Sequence, residues 1–289
     1  MTTAADWVAG ARPRTLPAAV APVLVGTGAA AQAGDTLPGR ALLAAGVALA
    51  LQVGVNYAND YSDGVRGTDV DRVGPMRLTA SGTAAPRDVR TAAFASFGVA
   101  ALLGLWLVVL SGAWWLLAVG ALAVVAAWTY TGGRRPYGYL GLGEVGVFVF
   151  FGLVAVLGTT YTQVGHVTWP AVVGAVAVGL LACALLMANN LRDVPTDVLV
   201  GKRTLAVRLG EHRARRVYAA MVVLPVLLGA VCALVAPWSL IVLLLLAPAV
   251  VLAVVVLLGA RGIALVPVLA GTGLLELGFG VLLGLGLAL

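Results

Sequence analysis

The sequence predicts an all-α membrane protein of nine transmembrane helices with a cytoplasmic N-terminus, and three observations carry that prediction. Of the 289 residues, 61% are hydrophobic and 10% charged, with a mean hydropathy of +1.03, whereas soluble domains carry about 25% charged residues. Apolar runs of about 20 residues, each enough to cross roughly 30 Å of hydrocarbon, recur along the whole chain. With nine spans drawn alternately, 17 of the 18 basic residues fall on one side and only Arg40 on the other. By the positive-inside rule the richer side is cytoplasmic.

The first span, 15–33, contains Pro17 and Pro22, which should bend it because each removes a backbone donor. Span 2, 41–58, runs into the acidic cluster Asn59-Asp60-Tyr61-Ser62-Asp63, and a long polar segment follows to about Ala92. Spans 3 and 4, 93–111 and 113–131, meet at a tight turn, Ser111-Gly112. Span 5, 140–160, carries Glu144 about one turn inside its cytoplasmic end, while span 6, 169–189, ends in a second cluster, Asn189 to Asp197. A second polar segment reaches about Arg215. Spans 216–236, 238–258 and 263–288 complete the chain, with Pro237 as a turn and Glu276 deep in the last, where a carboxyl must be protonated or paired. Trp114, Trp115, Trp169 and Trp238 sit at outside span ends, as interfacial anchors do.

Several function classes are excluded by the same facts. The formal charge of +6 lies in loops beside apolar spans, so it marks topology and attraction for anionic lipids or a diphosphate, not a nucleic-acid surface. Cys183 and Cys232 lie within spans and make neither a disulfide framework nor a zinc site. Residues 1–14 include Asp6, Arg12, Pro13 and Arg14, so a cleavable leader is not expected. His166 falls in an outside loop and reads as a surface residue. The whole chain, 1–289, reads as one integral-membrane domain whose functional loops are about 59–92 and 190–215.

The two acidic clusters are the chemistry-bearing features. Asn56, Asp60 and Asp63 are spaced four and three apart, which places them on one helical face. Asn189, Asp193 and Asp197 are spaced four and four, with Pro195 expected to interrupt the helix and leave Asp197 on the loop side. The clusters lie 133 residues and four spans apart, as in a weak parallel repeat that would bring them over a central cavity. Most loop acids only finish helices and face water. Two matched clusters at span ends point instead to a bound cation, and carboxylates facing one cavity suit Mg²⁺ held against a diphosphate. A cation-coupled transporter, the competing class, would place its acids near the bilayer midplane.

The segments Ala11-Arg12-Pro13-Arg14-Thr15-Leu16-Pro17, Asn56 to Asp69, Arg72-Val73-Gly74-Pro75 and Ser81-Gly82, with Asp193 to Asp197 and Gly201-Lys202-Arg203-Thr204-Leu205-Ala206, resemble the UbiA superfamily of intramembrane aromatic prenyltransferases. Within it they are most similar to the MenA branch. One departure is visible: where the superfamily has a third acid four residues after Asp63, this chain has Gly67, and Asp69 and Asp71 follow.

The resemblance implies a nine-helix UbiA-type bundle in a bacterial cell membrane and Mg²⁺-dependent transfer of a polyprenyl group from its diphosphate to 1,4-dihydroxy-2-naphthoate with loss of CO₂. The same chemistry on another aromatic acceptor such as 4-hydroxybenzoate is the nearer alternative. Asp60, Asp63, Asp193 and Asp197 are then expected to hold metal, helped by Asn59. Arg66, Arg72, Lys202 and Arg203 are expected on the diphosphate, as planar forks and a point charge. Asn56, Asn189, Tyr61 and Tyr139 are further substrate-binding candidates, with Arg134 and Tyr137 weaker ones, and Tyr57 and Tyr61, which flank the first motif, are the candidates to stabilise the carbocation. Arg12 and Arg14 are expected on the diphosphate or the acceptor carboxylate, and Glu144 is a candidate base. Donor chain length and oligomeric state stay open.

Overall fold

The computed structural model describes residues 2–68 and 77–289. The regular structure among them is helical: α1 (Ala4–Gly10), α2 (Pro17–Gln32), α3 (Pro38–Arg66), α4 (Pro86–Ser111), α5 (Leu116–Thr129), α6 (Gly143–Val164), α7 (Trp169–Leu199), α8 (Leu205–Leu209), α9 (Glu211–Leu234), α10 (Pro237–Leu257) and α11 (Gly262–Ala288). By length and composition α3, α4, α6, α7, α9, α10 and α11 can each cross a bilayer, which makes the chain a multi-pass membrane protein. The expected count of nine is met only in part. An eighth span requires joining α2 to the preceding Ala4–Thr15 segment across a 49° bend. The fourth expected span shrinks to the 14 residues of α5, about 21 Å of helix, because residues 113–115 are spent on the turn after Ser111.

The N-terminal break falls just ahead of Pro17. Pro17 occupies the first position of α2, where its missing N–H matters least, and Pro22 lies within the helix. Arg12 turns the chain with φ of 53°, in the left-handed region. Helices α3 and α7 both outrun their expected ends. The first carries its acidic cluster to a left-handed Gly67 cap with φ of 71°. The second continues through Pro195 to Leu199, correcting the expected interruption. One proline removes one hydrogen bond, and the following turns stay closed by Val200 N–H to Thr196 and Lys202 N–H to Asp197, at 3.2 and 2.8 Å. Asp197 is therefore helical.

Lipid tails are as apolar as leucine, so membrane helices associate through close packing and interhelical hydrogen bonds. Small residues provide the closeness here. A β-carbon on Gly28 of α2 would lie 2.2 Å from the Gly284 carbonyl oxygen of α11, and one on Gly152 of α6 would lie 2.6 Å from Gly179 Cα of α7. Around Gly152, residues Phe148–Val154 relax into a π-helical stretch, a feature frequent at functional sites. Thr160 Oγ1 donates to the Gly26 carbonyl at 2.9 Å and Tyr218 pairs with Thr272 at 2.7 Å.

The end opposite the acidic clusters is finished differently. Arg40, the lone basic residue there among the described residues, donates to the carbonyls of Thr162 and Leu110, caps for α6 and α4. Trp114, Trp115, Trp169 and Trp238 are exposed at the same end, as expected of interfacial anchors. Glu276 is fully buried in α11, with no partner for either oxygen among the described residues.

Candidate active site

A cavity of about 1130 Å³ runs between α2, α3, α4, α5, α6 and α7. Its walls change character along its length. At the end where α3 and α7 terminate it is lined by Asn56, Asn59, Asp63, Asn189, Asp193 and Asp197; the rest is an apolar sleeve that includes Val47, Leu51, Leu105, Val108 and Phe151. The two clusters therefore face one space, as the repeat predicts.

On α3 the acids divide. Asp63 faces the cavity, where its Oδ1 accepts the Tyr139 hydroxyl at 2.6 Å and its Oδ2 lies 3.6 Å from Lys202 Nζ. Three chain segments meet at this carboxylate. The Lys202 ammonium also sits 4.7 Å from the Tyr139 ring centre, and the Arg203 N–H donates to the Tyr139 carbonyl at 2.9 Å. Burial, with Asp63 beside it, pushes the Tyr139 hydroxyl far above the ordinary phenol range, so it stays a donor. Burial alone pushes its neighbour Tyr137 up to about 12. Asp60 is placed elsewhere: it is 1% exposed, does not line the cavity, and accepts the backbone N–H groups of Leu78 and Thr79 at 2.9 Å each.

The asparagines fix helix positions around the cavity. Asn56 Nδ2 donates to the Ala11 carbonyl and to Thr15 Oγ1, both at 2.9 Å, tying α3 to the bent N-terminal segment. Asn59 Oδ1 accepts Thr131 Oγ1 at 2.8 Å. On α7, Arg192 forks onto Asp193 at 2.7 and 2.8 Å and reaches Asn189 Oδ1 at 2.8 Å. Asp193 and Asp197 are buried on the cavity side. Arg12, Arg14, Lys202, Tyr137 and Tyr139 line the same space.

Other expected residues lie outside it. Arg66 donates to the carbonyls of Thr131 and Gly133, clamping the turn after α5. The Arg203 side chain is exposed, and so is Arg134. Tyr61 stacks on Trp128 with centroids 6.0 Å apart, beneath the Arg90 guanidinium. Tyr57 donates to the Trp7 carbonyl at 2.7 Å. Glu144 is buried behind the wall, accepting Asn190 Nδ2 at 3.0 Å. His166 is exposed. Arg72, Asp69 and Asp71 lie outside the described residues. Conversely, Asn190, Tyr130, Thr131 and Gln52 line the cavity without having been singled out. Asn190 was legible: it stands three and seven residues before Asp193 and Asp197, on their face of the helix.

Among the described residues no three His, Cys, Asp or Glu side chains converge into a cage for a metal. The arrangement still fits Mg²⁺, which usually takes one or two carboxylates and completes its shell with water and substrate phosphate oxygens. Asp63, Asp193, Asp197, Asn59 and Asn189 supply oxygen donors around one space. Among the described residues no thiol or imidazole lines it, so a zinc-type donor set is missing from that part of the wall.

Known proteins with these features lead to one family. A curated protein from Mycobacterium tuberculosis, 1,4-dihydroxy-2-naphthoate octaprenyltransferase, is 54% identical over 274 residues, covering 95% of this chain and 94% of its own. Among solved structures, the apo UbiA homolog from Aeropyrum pernix K1 superposes with a TM-score of 0.71 at 16% identity, covering 93% of this chain and 96% of that one. A UbiA homolog from Archaeoglobus fulgidus bound to GPP and Mg²⁺ gives 0.68 at 16% identity, covering 96% and 99%. Both share the fold. The UbiA prenyltransferase family description matches residues 19–262, and with the paired acidic helix ends over one apolar cavity this places the chain in that family: it belongs to the UbiA prenyltransferases.

Proposed function

We propose that the protein transfers a polyprenyl group from its diphosphate to 1,4-dihydroxy-2-naphthoate, with loss of CO₂, giving demethylmenaquinone in its reduced, quinol form for menaquinone biosynthesis. The observation that carries this reading is the change of character along the cavity: a cluster of carboxylates, amides and cations at one end and an apolar sleeve beyond it. A polyprenyl diphosphate has the same polarity along its own length. The name of the 54% identical relative supports the choice of acceptor.

In this reading Asp63, Asp193 and Asp197, with Asn59 and Asn189, would hold Mg²⁺, which would supply Lewis-acid charge neutralisation for the diphosphate. Lys202, Arg12 and Arg14 supply fixed positive charge at the same end, for the diphosphate or for the acceptor carboxylate. Arg192 keeps Asp193 and Asn189 in place. The sleeve takes the hydrocarbon chain and keeps water from the allylic carbon, where a cation develops as the C–O bond breaks. The acceptor's carboxylate-bearing carbon then forms the new C–C bond, and release of CO₂ restores the aromatic ring. Asp60, spent on the loop after α3, shapes the site without touching the reactants. Its partners are the Leu78 and Thr79 amides.

All nine apolar segments take part in this bundle as one integral-membrane domain of a bacterial cytoplasmic membrane, with α5 completing the sleeve and the N-terminus and polar end cytoplasmic. The distribution of basic residues supports that orientation. Purified protein incubated with farnesyl diphosphate, Mg²⁺ and a panel of aromatic acceptors tests the reaction by product mass. The expected product is prenylated naphthoquinol without its carboxylate; exclusive prenylation of 4-hydroxybenzoate would move the chain to another branch.

A further inference from the structure

Four residues behind and beside the carboxylates form a unit that the diphosphate chemistry does not use. Asn190 lines the cavity and donates Nδ2 to Glu144 Oε1 at 3.0 Å. An amide whose nitrogen is held this way must turn its carbonyl oxygen the other way. Asn190 Oδ1 has no partner among the described residues. Glu144 is itself pinned, since its backbone carbonyl accepts Cys183 Sγ at 3.1 Å. Its Oε2 is buried without a partner among the described residues.

The wall beside Asn190 is aromatic. Tyr130 and Tyr137 line the cavity with ring centres 5.4 Å apart at 80°, and they lie close to the first turns of α6 because two positions there have no side chain. A β-carbon on Gly146 would lie 2.7 Å from the Tyr137 hydroxyl oxygen, and one on Gly143 3.3 Å from that of Tyr130. Glu144 lies between those glycines. A corner of two aromatic rings with one oriented hydrogen-bond acceptor beside it suits an aromatic ring bearing a hydroxyl group.

On the proposed function given above, we infer that Asn190 is the acceptor-orienting residue of the site. Its Oδ1 accepts a hydrogen bond from a ring hydroxyl of the aromatic acceptor, with the ring against Tyr130 and Tyr137, and Glu144 is a positioning residue that fixes the amide. As the ring carbon attacks the allylic cation, positive charge spreads onto the hydroxyl oxygen and its proton becomes more acidic. A fixed acceptor at that proton stabilises this state more than the ground state. Glu144 acts through Asn190 and touches no reactant, so its carboxylate is not a base in this scheme.

The test is steady-state kinetics of the full-length protein in detergent micelles, varying 1,4-dihydroxy-2-naphthoate and farnesyl diphosphate separately. Asn190→Leu and Glu144→Leu should each lower kcat/KM for the acceptor about tenfold or more, through a lower kcat and a higher acceptor KM, by the weight of one hydrogen bond to an oriented group, and leave the diphosphate KM within about twofold. Glu144→Gln presents the same oxygen to Asn190 and should restore most of the loss. If it fails as badly as Glu144→Leu, a titrating carboxylate is required and the positioning role is wrong. A rise in the diphosphate KM equal to that for the acceptor would also overturn it. A second arm needs no folding assumption: acceptors O-methylated at one hydroxyl or the other are given to the wild-type protein and to Asn190→Leu. One methyl ether should cost the wild type the same factor as the substitution and cost the variant nothing further; additive losses with both ethers refute the contact. Should the wild type use 4-hydroxybenzoate and refuse the naphthoate, the proposed function fails, and the same variants read with that acceptor still decide the role of Asn190.

Discussion

The ends of α3 and α7 carry acids at similar spacings and use them differently. Helix α7 keeps both Asp193 and Asp197 on the cavity, while α3 gives Asp63 to the cavity and Asp60 to the backbone of the loop that follows. The surroundings of the helices explain this. Two thirds of the most apolar stretch of α7 is buried inside the protein, against one third for α3. The more buried helix closes its own end through the turn from Asp197 to Lys202. The peripheral helix must anchor its own exit loop, and a carboxylate accepting two backbone N–H groups is a strong way to do so. Similar spacing in the sequence does not imply equal chemistry.

The largest expected effect tests what the clusters share. Removing divalent metal with a chelator should abolish prenyl transfer and adding Mg²⁺ should restore it, measured by product mass; full turnover without metal would end the common reading of both clusters. Next come the cavity acids. Asp193→Asn and Asp63→Asn should each lower turnover by about 10²–10³-fold, as loss of one charge stabiliser does, in protein that still elutes as a folded species. A mild effect at Asp63 alone would break the pairing of the two helices.

Asp60→Asn separates the uses. It keeps one acceptor oxygen and sets an NH₂ group against a backbone N–H, so it should cost about 1–3 kcal/mol of stability. Its thermal unfolding in detergent should shift more than that of Asp63→Asn, while its turnover per folded molecule falls less. The reverse order would place Asp60 on the metal. Smallest of all, Tyr61→Phe should change turnover by less than about twofold, since Tyr61 stacks on Trp128 away from the cavity and isolated changes outside such features are nearly neutral. A large loss there would mean that the face of α3 has been assigned wrongly.

What the sequence determined by itself is what composition and periodicity encode. Apolar runs had to become membrane helices because the bilayer offers no partner for an open backbone. That Asp63, Asp193 and Asp197 gather at one cavity was legible because charge at the end of such a run is costly and calls for a partner. The outcomes left to tertiary structure were those of contact between distant segments. Whether α3 continued past its apolar stretch, whether Pro195 ended α7, and whether residues 113–131 supplied a full span depended on hydrogen bonds and turns that no apolar count records. Arg66 and Asp60 read as site residues, but their partners, the Thr131 and Gly133 carbonyls and the Leu78 and Thr79 amides, are chosen by the folded chain. A polar side chain at a helix end has to satisfy whichever group is nearest, and only the packed bundle settles which group that is.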